Sequence, residues 1–154
     1  MKLVRHSRTR LLFHLGHRET GLLLQILKLY PRVPPAHHQL TKSGRLPDRK
    51  ENQQLLDEAL AEQRAENKKL LLAMLADSRR FARTEAGSRL LLAQAEVEWL
   101  LQVLNDIRVG SWVLLGSPED KIPKMNEITA QNIMAMEMAG HFQSQLLEAL
   151  HGET

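Results

Sequence analysis

Residues 97–116, VEWLLQVLNDIRVGSWVLLG, constrain the fold more than any other stretch of the chain. An α-helix advances about 100° per residue. Wound this way, Trp99, Leu100, Leu101, Val103, Leu104, Ile107, Trp112, Leu114 and Leu115 fill well over half of the circumference. Glu98, Gln102, Asn105 and Asp106 keep to a narrower polar strip. A helix this apolar must be covered from several sides, so a central position is predicted. Gly116 and then Pro118 mark its end. Arg108 and Ser111 are the exceptions, because their helical angles place them in the apolar sector.

The other elements follow from the same kind of pattern. Residues 2–6 and 10–15 read as two short strands around a turn, with Leu11, Phe13 and Leu15 on one face. Residues 22–30 read as a short first helix with Leu22, Leu23, Ile26, Leu27 and Tyr30 inward, ended by Pro31. Residues 31–47 hold Pro34, Pro35, His37, His38 and Gly44 and read as a long basic loop. A second helix is predicted over 48–78, with Leu56, Ala59, Leu60, Leu70, Leu71 and Met74 as its stripe. Gln63 and Asn67 fall within that stripe and Glu66 at its edge. Arg79, Arg80, Arg83 and Arg89 form a basic connection, and Leu90, Leu91 and Leu92 a short extended run. Asn126 is placed to cap a last helix over 127–150, whose inward face is Ala135, Met138, Ala139, Phe142, Leu146 and Leu150. The expected fold is a single mainly α domain over residues 1–154. Three long helices include the central apolar one, with a short first helix and a small N-terminal β-hairpin (residues 1–17) outside.

Trp99, Leu100, Leu104, Asn105, Asp106, Arg108, Leu115 and Gly116 resemble the W-L-x-x-L-N-D-x-R signature of a bacterial family best known from actinobacteria. The resemblance implies an N-terminal basic hairpin, a long middle helix and a final leucine-rich helix. The family carries no established activity. Its neighbourhood to a protease adaptor in some genomes implies a link to proteostasis.

Composition excludes several functions. The chain has no cysteine, so disulfides, thiolate zinc sites and cysteine nucleophiles are ruled out. A reducing cytoplasm suits it. No apolar run approaches the roughly 18 residues of a membrane span, and the first residues lack the apolar core of a signal peptide. No P-loop, G-x-S-x-G, H-E-x-x-H or G-x-G-x-x-G occurs, so no enzyme and no cofactor is expected. His6, His14 and His17 have no partner pair at ligand spacing, and adjacent His37 and His38 point apart in an extended loop, so no metal site is expected.

Two candidate sites remain. Gln63, Glu66, Asn67, Arg108, Ser111 and Asn132 fall on or beside apolar faces of three helices. Buried without partners, such groups cost about 1–3 kcal/mol each, so they are expected to bond one another. They would form a layer or small ligand pocket in which Arg108 meets Glu66 or Glu62. The second candidate is charge. Residues 1–50 carry +9 and residues 51–154 carry −6. Lys2, Arg5, Arg8, Arg10 and Arg32 are the candidates for a basic surface. Only 4% of residues are aromatic, which is poor equipment for stacking bases. The expectation is therefore a cytoplasmic, non-enzymatic protein–protein interaction or regulatory module, self-associating through Met134 and Met136 of the last helix. The alternative is a nucleic-acid-binding regulator using the basic N-terminal segment.

Overall fold

The computed structural model describes residues 1–34, 49–118 and 124–152. Most of the predicted 31–47 loop, the predicted helix start at residue 48, and His37 and His38 lie outside them. Among the described residues the order is β1 (Lys2–His6), β2 (Arg10–Gly16), α1 (His17–Leu27), α2 (Arg49–Ala76), β3 (Phe81–Thr84), β4 (Gly87–Ala93), α3 (Gln94–Leu114) and α4 (Glu127–His151). The four strands form one antiparallel sheet in the order β1-β2-β4-β3. The fold is therefore α+β, and the mainly α expectation is corrected.

The correction has a local cause. The basic connection between the second and third helices is a β-hairpin, β3–β4, closed by the two-residue turn Glu85–Ala86. Its alternation is masked because, among the described residues, only one face of the sheet is covered. Leu90 and Leu92 point into the core and Phe81 packs against it, while Arg89 points to solvent. One-sided sheets carry polar residues at every second position. In β4 those positions hold Arg89, Leu91 and Ala93, and Leu91 between Leu90 and Leu92 hides the alternation. Gly87 opens β4 at φ 144°, a conformation that L side chains rarely adopt. Its α-carbon faces Gly16 of β2, so two backbones meet there without side chains.

Leu11, Phe13 and Leu15 of β2 join Leu90 and Leu92 of β4 on the inner sheet face, all buried. α1 and α3 cover that face, α4 packs on both of them, and α3 against α4 is the most extensive helix pair. Val97, Leu100, Val103, Leu104 and Ile107 of α3 meet Ala135, Ala139, Phe142 and Leu146 of α4 in one core. Asn126 caps α4, its Oδ1 accepting the Thr129 N–H at 2.9 Å. α1 starts five residues earlier than predicted and ends at Leu27, leaving buried Tyr30 in the segment that follows.

α2 is the least embedded helix. Leu71 and Met74 are buried, but Leu55, Ala59, Leu70 and Leu72 are exposed, and Leu56 and Leu60 are half-buried. The stripe predicted for α2 therefore packs only toward its C-terminal end. No helix among the described residues is long and apolar enough to cross a membrane.

Candidate functional site

The polar layer exists, but with different members. Arg108 is exposed, and among the described residues its Nη2 donates only to Asn105 Oδ1, one turn earlier on its own helix, at 3.3 Å. Glu62, Gln63 and Glu66 are exposed on α2, so the expected Arg108–Glu66 pair does not form. The helical angle of Arg108 does lie between Val97 and Leu101. Leu101 is itself only half-buried, however, so this part of the apolar sector is incompletely covered. Arg108 then keeps its charge in water, as long cationic side chains do.

Arg32 takes the inner position instead. It was expected on the basic surface, yet its guanidinium donates through Nη2 to Asn132 Oδ1. The Arg32 and Val33 N–H groups both donate to Asp106 Oδ1, at 2.6 and 3.3 Å. Arg64 Nη2 lies 3.8 Å from Asp106 Oδ2. Burial lowers the pKa of Arg32 from its ordinary value. Gly110 permits this docking, since a Cβ there would stand 2.5 Å from the Arg32 carbonyl carbon and 2.6 Å from the Val33 nitrogen. Asn67 joins the layer, its Nδ2 donating to Tyr30 Oη at 3.0 Å while its Oδ1 accepts from Trp99 Nε1 at 3.1 Å. Ser111 is fully buried and its Oγ has no partner among the described residues.

Of the six predicted layer residues, Asn67, Ser111 and Asn132 are inside, and Gln63, Glu66 and Arg108 are not. Tyr30, Arg64 and Asp106 were missed. Tyr30, Leu60, Gln63, Arg64, Asn67, Gln102 and Asp106 line a cleft of about 150 Å³. The polar groups of Tyr30, Arg64, Asn67 and Asp106 are already engaged around it, so the cleft reads as part of the framework. Its one phenol provides a check. Burial raises the Tyr30 pKa above 10.0; the Asn67 hydrogen bond opposes this, Asp106 adds to it and Arg64 opposes it. The folded chain keeps this proton after an unfolded chain would lose it, so the associated stability is lost as pH climbs past 10. Tyr30 is the sole tyrosine, so tyrosinate absorbance reads it directly. The expected midpoint lies above that of free tyrosine; a midpoint at or below it would mean the phenol is solvated.

The open face of the sheet is the more distinctive site. Leu12 of β2 stands beside Leu91 of β4, and His14 beside Arg89. The register of β1 against β2 shifts between Leu3 and Arg5, which sets Leu3 opposite inward Phe13 and Arg5 opposite outward Leu12. Such a bulge re-aims a side chain, and here it brings Arg5 to the outer face. Lys2 stands opposite His14, and Arg8 is exposed in the turn. Arg79 and Arg80 enter from the turn after α2. Arg5, Arg10, Arg79, Arg80 and Arg89 thus surround Leu12 and Leu91 in a concavity of about 340 Å³, completed by Ser7, Ser78 and Ala82.

Two carboxylates lie at its margin and both are engaged. Glu96 pairs with Arg80 and accepts the Ala93 N–H, and Asp77 Oδ1 accepts the Arg79 N–H at 3.0 Å. Arg5, Arg10, Arg79 and Arg89 have no carboxylate within pairing distance among the described residues. Two basic clusters some 70 residues apart in sequence have become one surface.

Comparison with protein-family models, curated proteins and solved structures found no match. The site therefore has to be read from its chemistry. Four guanidiniums that are unpaired among the described residues, set around two leucines, can grip carboxylate or phosphate by paired hydrogen bonds. Among the described residues, no three His, Asp or Glu side chains are grouped to hold a metal ion.

Proposed function

We propose that the chain is a non-enzymatic interaction module whose open sheet face docks an acidic protein surface. The observation that carries this reading is the arrangement of Arg5, Arg10, Arg79 and Arg89 around Leu12 and Leu91. Protein interfaces combine an apolar centre with a polar rim and are enriched in arginine. Single-stranded nucleic acid is held by aromatic stacking, and no Phe, Tyr or Trp lines this concavity. The same reading assigns the module to the cytoplasm, where a cysteine-free chain suits the reducing conditions. The resemblance of residues 99–116 extends it to a regulatory role in proteostasis.

The test compares poly-L-glutamate with duplex DNA as ligands, at low and high salt. Poly-L-glutamate is expected to bind at low salt and to weaken as salt screens the charges. The R10E/R89E variant should bind it about tenfold or more weakly, the effect of losing about 1.4 kcal/mol. Tighter binding of duplex DNA, equally lost in R10E/R89E, would overturn the acidic-protein reading in favour of nucleic acid.

A further inference from the structure

The chain itself carries an acidic surface of suitable size. Glu51, Leu55, Glu58 and Glu62 recur at the three- and four-residue spacing that places side chains on one helix face. All four are exposed, and Leu55 is 64% exposed. Between Glu51 and Glu66 every exposed charged side chain is acidic: Glu51, Asp57, Glu58, Glu62 and Glu66. Arg64, the one cation in that interval, is half-buried toward Asp106. None of the five acids forms an ion pair among the described residues.

This stripe mirrors the sheet face, with a leucine between carboxylates facing leucines between guanidiniums. The dimensions agree as well. Glu51 to Glu62 spans roughly 16 Å at 1.5 Å per residue. Three inter-strand gaps of about 4.8 Å make a four-stranded sheet roughly 14 Å wide. A helix laid across the strands therefore reaches from one edge to the other.

The stripe cannot serve its own sheet. Leu71 and Met74 fix the C-terminal end of α2 in the core, where the helix touches β3. Leu55 lies 16 residues before Leu71, roughly 24 Å farther along a rigid rod. Arg64 beside Asp106 and Asn67 on Trp99 keep that rod along α3. The occupant must come from another molecule.

We propose that the chain self-associates, the acidic outer stripe of α2 from one copy seating on the basic sheet face of a second copy. This rests on the reading of that face as a dock for acidic protein. Two reciprocal contacts close a twofold dimer, and a single repeated contact propagates a chain of copies. The expected dimer contact is therefore α2 on the sheet, not α4 on α4. Met134 of α4 packs against its own core.

Charge reversal in the full-length chain tests this by sedimentation at about 100 μM. That concentration captures contacts with Kd near or below 0.1 mM, about −5 to −6 kcal/mol. The wild type should associate at low salt and dissociate as salt rises. R10E/R89E and E58K/E62K should each be monomeric, with wild-type circular dichroism. Mixed one to one, they should associate again, because each supplies what the other lacks. A wild type that stays monomeric at low salt overturns the proposal, as does undiminished association of either variant or a mixture that stays monomeric. If the wild type is monomeric but poly-L-glutamate still binds it and not R10E/R89E, the docking face stands and only the second copy is rejected.

Discussion

Gly87→Ala is expected to destabilise the protein by about 3 kcal/mol or more, measured as a lowered urea midpoint. Two costs combine at this residue. Its φ of 144° strains any L side chain, at about 1–3 kcal/mol. A methyl group there would also stand 2.9 Å from the Gly16 α-carbon and far inside contact distance of the Leu15 carbonyl oxygen. Overpacking of that kind costs about 1–3 kcal/mol, and backbone has less freedom to yield than a side chain. The site joins the β3–β4 hairpin to β2, so the damage falls on the sheet that carries both Arg10 and Arg89. Gly21→Ala is the contrasting control. Gly21 lies exposed in α1 with nothing within 4 Å of an added Cβ. Alanine there should stabilise the chain by about 1 kcal/mol through helix propensity. Equal melts for the two variants would show that the tight turn at Gly87 is misplaced.

Gly87 also shows why part of the fold was hard to read from sequence. The β1–β2 hairpin is legible because Leu11, Phe13 and Leu15 alternate over five residues with a recognisable turn before them. The β3–β4 hairpin has its apolar alternation split between Phe81 on one strand and Leu90 and Leu92 on the other. Arg79, Arg80, Arg83 and Arg89 dominate the interval. α3 and α4 were legible because their apolar sectors are wide and Asn126 is a strong cap. α2 was legible as a helix but not in its depth, since periodicity gives a direction and says nothing of what covers it. The arginines of the functional face were all visible, in two clusters. Only the pairing of β2 with β4 and the bulge in β1 bring them together, and both are tertiary facts.

The same limit explains the polar layer. The helical angle of Arg108 points inward, and the neighbouring described elements leave that angle uncovered. Arg32 reads as a surface residue because it lies in a basic, proline-flanked segment whose path has no period to read. Its partners Asp106 and Asn132 are 74 and 100 residues away. Asp106 sits in the polar strip of α3, and nothing in that strip distinguishes it from Asn105 until the 32–33 segment arrives.

Asp106, not Arg108, is therefore the residue of the Leu-Asn-Asp-x-Arg stretch that stability depends on. Its Oδ1 accepts two backbone N–H groups, from Arg32 and Val33, and its other oxygen faces Arg64. A hydrogen bond to a charged group contributes about 1.5–3 kcal/mol net, and a donor left unmet away from water costs about 1–3 kcal/mol. Asp106→Ala removes the acceptor from both donors at once, and a loss of about 2–4 kcal/mol in urea melts is expected. Asp106→Asn keeps a carbonyl oxygen in place and gives up the charge, so it should recover about half of that loss or more. Arg108→Ala should stay within about 0.5 kcal/mol of wild type, as exposed substitutions do. The order Asp106→Ala, Asp106→Asn, Arg108→Ala is the discriminating result. If Arg108→Ala is the most damaging of the three, the guanidinium has a buried carboxylate partner, and the docking of residues 32 and 33 on α3 is wrong.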